Sequence, residues 1–590
     1  MGKARFKPIL RIPVRQYSSL LSRYLKPQWP GMSILSALLI AGIALQLIAP
    51  QFIRLFIDSA ETGDSINALW IAAASFIGVS LAQQAVTVAA TYFSENIGWT
   101  ATNQLRGDLA AHALTLDLSF HQKHTTGALV ERVDGDINAL ANFFSSFIIH
   151  LVSNALLMVG ILVLLFRENA LVGFGMLLFV VFALWVIRYI RRFAAPYWGK
   201  MRQMSAEFYG FIGEHLEGTE DTRANGATGY VLHRFFTLLR RWLPIRVRAY
   251  MGWASMWITS IVVFALGNAM ALGICAYLWN RDAVTIGTVY MIFFYTELMA
   301  KPIEKIRTQM EDLQKADASI MRVRDLLNTR SRIVDGPGAE LPNGALEIRF
   351  RDVTFGYEDD HVQLDGVDFQ VAPGRVLGLL GRTGSGKSTI TRLLMRFYDP
   401  REGSVELAGR DLRELRVEDV RRRVGLVTQQ IELFEGTIRD NLTFYDETIQ
   451  DDRIYRVLEE LGLRDWLQSM PFGLDTVLES GGSGLSAGEA QLLAFARVFL
   501  REPSVIIMDE ASSRLDPATE QRMEQATRRL LSGRTCIIIA HRLPTVQRAH
   551  DILILEDGRI LEYGERQRLA ADPNSRFHRL LSTGLEEVLT

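Results

Sequence analysis

The sequence predicts a multi-domain chain: an all-α polytopic membrane domain of six transmembrane helices with cytoplasmic stalks, followed by an α/β phosphate-loop nucleotide-binding domain. Three observations carry this. The 590 residues are several times the usual domain size, so at least two folded units are needed. An apolar share of 49% beside 22% charged residues, with mean hydropathy +0.12, is more apolar than a soluble chain needs. Finally, the apolar excess is concentrated in the first half, while the second half reads as short buried strands around a glycine-rich loop.

The six apolar stretches are Met32–Phe56, Leu69–Phe93, Phe143–Phe166, Ala170–Ile190, Trp253–Trp279 and Ile286–Ala300. Each is near the ~20 residues a helix needs to cross a bilayer of ~30 Å; the last is short, and its polar continuation extends into the cytoplasm. The connections Asp58–Ser65, Arg167–Asn169 and Asn280–Thr285 are short and poor in cations, which places them outside. Glu95–Asn142 and Arg191–Met251 are long and rich in Arg and Lys, which places them and both termini inside. Their apolar residues recur at helical spacing, so the membrane helices are expected to continue beyond the lipid as stalks.

The basic start (Lys3, Arg5, Lys7, Arg11, Arg15) runs into Tyr17–Tyr24 without a small-residue cleavage site, so insertion is expected to use the first span itself. A net charge of -1 provides no global field for gathering nucleic acid. Cys275 and Cys536 fall in apolar surroundings and read as packing residues, and the spacing of His121, His124 and His215 fits solvated surface better than a metal site. Around Asp325–Leu341 the charges and Gly336-Pro-Gly mark a linker. The chain thus divides into a cytoplasmic segment 1–31, a membrane domain 32–315, a linker 316–344, a nucleotide-binding domain 345–583 and a tail 584–590.

In the second domain, Leu346–Phe355 alternates apolar and polar residues like an antiparallel strand, whereas Val376–Leu380, Val505–Met508 and Cys536–Ala540 suit a buried parallel sheet. Gly381-Arg382-Thr383-Gly384-Ser385-Gly386-Lys387-Ser388-Thr389 lies between one such strand and the helical stretch Ile390–Phe397. Gly384 and Gly386 permit a backbone that curls round a phosphate, Lys387 reaches the β- and γ-phosphates of ATP, and the Ser388 hydroxyl ligates Mg²⁺. The strand Val505–Met508 ends in Asp509 and Glu510, the first to orient the Mg²⁺ shell and the second to polarise or deprotonate the attacking water. His541 follows Cys536–Ala540 and can contact the γ-phosphate or hold the water, and Gln429 can sense the Mg²⁺ site.

With these motifs in this order, residues 345–583 resemble the nucleotide-binding domain of ATP-binding cassette (ABC) transporters, and residues 32–315 the six-helix exporter-type membrane domain. The resemblance implies that Tyr357 stacks on adenine, that Gln429 is the Q-loop glutamine, that Asp509 and Glu510 are the Walker B pair, and that Asp516 is the D-loop aspartate and His541 the switch histidine. It also makes the segments from Phe120 and from Glu214 coupling-helix regions. Two such chains would face head to tail, each sandwiching ATP between its phosphate loop and the partner's signature sequence. The signature here, Leu485-Ser486-Ala487-Gly488-Glu489, departs from the usual Leu-Ser-Gly-Gly-Gln. Ala487 adds a methyl at a close backbone approach, and Glu489 is expected to bring a carboxylate near the polyphosphate. That asymmetry favours a heterodimer with a second half-transporter over a homodimer.

The function expected is ATP-driven export or flipping of an amphipathic or lipid-like compound, or a peptide, across the cell membrane. The competing readings are exporter-fold uptake of a metal-chelator complex, an ATP-gated membrane protein, and a peripheral ATPase acting on DNA or ribosomes; six spans argue against the last. His150, Asn154, Asn268 and Glu297 are polar residues in or near the spans, where substrate contact and helix–helix hydrogen bonding compete as explanations.

Overall fold

The computed structural model describes residues 22–142, 152–358, 361–428, 431–479, 481, 484–509, 517–540 and 546–583. The chain separates into two compact units, one comprising residues 1–114 and 126–329, the other residues 115–125 and 330–590.

The first unit is helical. Its main helices are α1 (Trp29–Thr62), α2 (Ile66–Thr115), α3 (Asp136–Asn142), α4 (Ser153–Glu168), α5 (Ala170–Glu217), α6 (Thr228–Trp279) and α7 (Ile286–Asn328). Four apolar helical segments, Ser22–Thr62, Ile66–Thr115, Ala170–Ile187 and Thr228–Trp279, are long enough to cross a membrane. The remaining two predicted spans fall on α4, with residues 143–151 outside the described residues, and on the start of α7. At 1.5 Å per residue the 50 residues of α2 span about 75 Å, far more than a bilayer's ~30 Å hydrocarbon core, so the helix continues well past the lipid as the stalk pattern predicts. Leu157, Ile161 and Leu165 of α4 recur at helical spacing and pack with Val172, Met176 and Met291 in a dry core. Cys275 is buried in that core.

Charges gather at the ends of these helices. Arg54 pairs with Glu168 at 2.8 Å, and Asp58 accepts from Gly287 N (2.9 Å) and Thr285 Oγ1 (3.0 Å). In the stalk part, Asp136 is almost wholly buried and accepts Arg322 through both carboxylate oxygens, Nε to Oδ2 at 2.8 Å, with Ser319 Oγ adding a third bond at 2.8 Å. The hydrogen bond to Asp136 raises the Arg322 guanidinium above its ordinary range.

The α7 helix runs to Asn328, into the stretch expected as linker. Ile320, Val323 and Leu326 are buried on one face, while the charges that suggest a linker, such as Arg322, lie on the other. Beyond it the irregular chain is fastened to the second unit: Arg396, 2% exposed, donates to Val334 O at 2.7 Å and Leu415 O at 2.8 Å, and Gly336 N donates to Leu415 O at 3.1 Å. The segment 115–125 also belongs to this unit. Asp117 caps the short helix Leu118–Lys123 and accepts from Phe120 N and Arg332 N. Burial pushes the Asp117 carboxyl up, but its hydrogen bonds from Ser119, Arg332, Phe120 and Ser331 together hold it below the usual range.

The second unit contains β1 (Ile348–Phe355), β2 (Leu364–Val371), β3 (Val376–Gly381), α8 (Lys387–Leu394), β4 (Glu402–Leu407), β5 (Arg410–Asp411), β6 (Val424–Val427), β7 (Gly436–Thr437), α9 (Ile438–Thr443), β8 (Val477–Leu478), α10 (Ala487–Arg501), β9 (Val505–Asp509), α11 (Pro517–Leu531), β10 (Thr535–Ile539), β11 (Asp551–Glu556) and β12 (Arg559–Glu565). One antiparallel sheet has the order β2-β1-β4-β5, and a six-stranded sheet has the order β12-β11-β3-β10-β9-β6, parallel except for the β11–β12 pair. The alternation over Leu346–Phe355 thus marks an antiparallel strand, whose Phe350 stacks on Phe369 of β2 at 4.6 Å. The three continuous apolar runs are neighbouring parallel strands buried on both faces. Cys536 lies in this core, where burial pushes its thiol up to about 12, consistent with a packing role.

Candidate nucleotide site

Because β3, β10 and β9 are adjacent and parallel, their C-terminal ends share one edge of the sheet. The phosphate loop leaves β3 there, and Asp509 ends β9 beside it. Two motifs far apart in sequence thereby reach one sheet edge, where open α/β sheets bind ligands. The sheet register, Ile539 opposite Asp509 and Ile539 opposite Leu379, sets their relative height.

The loop's shape depends on residues without side chains. Gly381, Gly384 and Gly386 have φ of +148°, +87° and +109°. A Cβ on Gly381 would come within 2.4 Å of Leu555 O, and one on Gly386 within 2.6 Å of a Leu364 methyl. Arg382, Thr383 and Ser388 are exposed, whereas Ser385, Lys387 and Thr389 are buried. Lys387 Nζ donates to Gly381 O at 2.6 Å and Arg382 O at 2.9 Å, so the ammonium is folded into the loop that carries it. Burial pushes it below the usual lysine range, partly offset by the charge of Asp509. Ser385 Oγ is buried without a hydrogen-bond partner. An inward ammonium, an orphaned hydroxyl and the backbone start of α8 fit a polyphosphate.

Tyr357 follows β1 and is half-buried. Its hydroxyl lies 3.1 Å from Thr389 Oγ1 and accepts from Arg392 Nη1 at 2.9 Å, and its ring meets Phe355 and Tyr398 edge-on. The residue implied to stack on adenine therefore also locks β1 to the loop's own helix. Gln429, Glu510, Asp516 and His541 lie outside the described residues.

The signature segment forms the start of α10. Ser486 is the N-cap: its Oγ accepts from Glu489 N at 3.2 Å, and the Glu489 carboxylate accepts from Ser486 N and Oγ, each at 2.8 Å. This reciprocal capping box uses the carboxylate singled out in the sequence, and Gly488 is buried behind it.

Some positioning residues have no local sequence signal. Gln363 Nε2 donates to Gly384 O at 2.8 Å, and Gly558 N donates to Ser385 O at 3.2 Å. Arg497 on α10 donates to Asn441 O (2.7 Å) and Glu432 O (2.9 Å), while the Asn441 amide brackets Phe434 N and O at 2.9 and 2.8 Å. Arg497 thereby ties the segment after the Q-loop position to the signature helix. Only tertiary packing brings these pairs together.

A family model for the ABC transporter transmembrane region matches residues 32–303, and one described as ABC transporter matches residues 364–513. A probable multidrug resistance ABC transporter ATP-binding/permease protein of Bacillus subtilis, YheH, is 30% identical over 79% of this chain and 70% of its own length. The chain belongs to the ABC transporter family. This ABC transporter is also 28% identical to the ATP-dependent lipid A-core flippase of Idiomarina loihiensis, over 95% of this chain and 97% of that protein. Its fold matches a bacterial Atm1-family ABC exporter solved with ATP bound, at a TM-score of 0.78 and 24% identity, covering 96% and 98% of the two chains. It is an ATP-hydrolysing, exporter-type ABC transporter, with one membrane domain and one ATP-binding domain per chain, and as a half-transporter it works as a dimer in a lipid bilayer.

Proposed function

We propose that this ABC half-transporter pairs with a second, different half-transporter and exports or flips an amphipathic or lipid-like compound, or a peptide, across the cell membrane, with both termini and the ATPase domain cytoplasmic. The observation that carries the pairing is the capping box of α10: Glu489 already holds a carboxylate on the backbone amide and hydroxyl of Ser486, the groups a partner's ATP would need. A phosphate approaching that helix end meets like charge and must displace an internal ligand. The chain's own phosphate loop is not burdened in this way. The names of the similar flippase and multidrug transporter support the amphipathic substrate class.

In this reading the domains run as 32–315 for transport and 345–583 for ATP binding. The loop amides of 381–389 and Lys387 hold the polyphosphate, Ser388, Asp509 and Gln429 hold Mg²⁺, and Tyr357 supports adenine. Glu510 orients and deprotonates the attacking water, His541 steadies it at the γ-phosphate, and Asp516, Ser486 and Gly488 face the second half. Bound Mg-ATP supplies the phosphoryl group and the energy of closure.

The test is ATP hydrolysis by the full chain in lipid, alone and co-expressed with a second half-transporter. Turnover alone is expected to be slow and to rise severalfold in Glu489→Gln, because glutamine caps the helix equally well without the charge. In the mixed dimer, the site on this chain's loop uses the partner's signature, so Glu489→Gln should change turnover less than twofold. Fast turnover by the chain alone, unaffected by Glu489→Gln, would remove the heterodimer reading.

A further inference from the structure

One carboxylate in the membrane domain is used neither by the ATPase site nor by the helix-end ion pairs. Glu297 of α7 is exposed, and its Oε1 accepts from Asn268 Nδ2 of α6, which is half-buried. Asn268 lies eleven residues before the end of α6 at Trp279, and Glu297 eleven residues after the start of α7 at Ile286. Eleven residues at 1.5 Å are about 16 Å of helix, so both groups sit inside the hydrocarbon span, Asn268 in the middle of Trp253–Trp279 and Glu297 toward the cytoplasmic end of Ile286–Ala300. The charged groups at the level of Gly287 mark the membrane edge independently: Asp58 bonds Gly287, and Arg54 joins Asp58 to Glu168.

The surroundings of the pair are apolar and aromatic. Tyr290, 38% exposed, is two turns from Glu297 on the same face of α7, and Phe294 lies between them with its ring 6.3 Å from that of Tyr290. Ala265 and Leu272 flank Asn268 on α6, and both are exposed. Among the described side chains, Glu297 bonds Asn268 and pairs with no cation. An ionisable group inside the span is costly to set against lipid, which favours the bundle interior or a water-filled path for this stripe.

We infer that Glu297, oriented by Asn268 and backed by Tyr290 and Phe294, is a recognition site for the cationic group of a transported amphiphile. The carboxylate answers the charge, and the aromatic stripe answers both the apolar body and, through its ring faces, the cation. This rests on the amphipathic-substrate reading above and narrows it to amines, guanidinium or quaternary cations.

Tetraphenylphosphonium and tetraphenylborate have nearly the same shape and opposite charge. Their binding to the full detergent-solubilised chain without ATP, compared between wild type and variants, isolates the carboxylate from the partitioning both ions share. Glu297→Gln is expected to weaken the phosphonium about tenfold and leave the borate within twofold. Asn268→Ala, which removes the orienting amide and keeps the Glu297 carboxylate, is expected to weaken the phosphonium severalfold and leave the borate within twofold, so the test survives if Glu297→Gln fails to fold. Equal weakening of both ions in either variant, or no change in Glu297→Gln, would overturn the assignment. A chain that shows this charge preference but moves no amphiphile in ATP-driven assays fails only the transport reading. A chain that moves neutral amphiphiles without the preference fails only this one.

Discussion

Lys387→Ala is expected to lower ATP turnover of the assembled transporter by about 100-fold or more, the range found when one preorganised electrostatic contact to a developing charge is removed. The ammonium is already inside the loop, held by Gly381 O and Arg382 O before any ligand arrives. Alanine removes the charge and leaves those two carbonyls without their donor, so binding should suffer as well as turnover. In the role proposed for Glu510, Glu510→Gln should match the loss of turnover while keeping ATP binding, because it neutralises the proposed base and leaves the phosphate loop unchanged. Measuring nucleotide binding and hydrolysis on both variants separates the two roles. A Lys387→Ala chain that hydrolyses ATP within tenfold of wild type would show that the loop works without its cation.

Arg322→Gln is expected to cost about 2–4 kcal/mol of stability in the membrane unit, since it leaves the nearly buried Asp136 carboxylate without its bidentate partner. The upper part of the usual range is discounted because Arg322 is itself 48% exposed. Asp136→Asn in the same chain should restore part of the loss, since it removes the charge left behind. Thermal unfolding of the single and double variants in detergent measures both effects. Equal melting of Arg322→Gln and wild type would mean that Ser319 and water suffice for Asp136.

The phosphate loop was legible because its chemistry is local: nine consecutive residues carry the glycines, the ammonium and the hydroxyl, and the flanking strand and helix are short range. Adjacency of Asp509 to Lys387 was less direct, since it depends on β3, β10 and β9 being neighbours, which no local pattern states. The tethers Gln363, Gly558 and Arg497 were invisible for the same reason. The reach of α7 to Asn328 was misread as linker because its charges are frequent, although its buried residues keep a helical period. With Glu489 the residue was identified but not its geometry. The pattern Ser486-x-x-Glu489 is also a capping-box pattern, and that local interaction claims the carboxylate.

The capping box at Ser486 has a consequence for how such assemblies change over generations. Glutamate and glutamine close the same two hydrogen bonds at the start of α10, so folding exerts almost no selection between them. Their codons differ at a single base. Under the pairing proposed above, a lineage can therefore drift between a self-sufficient dimer and one that depends on a dissimilar partner without passing through an unstable protein, and the symmetry of the assembly becomes one of its most easily altered traits.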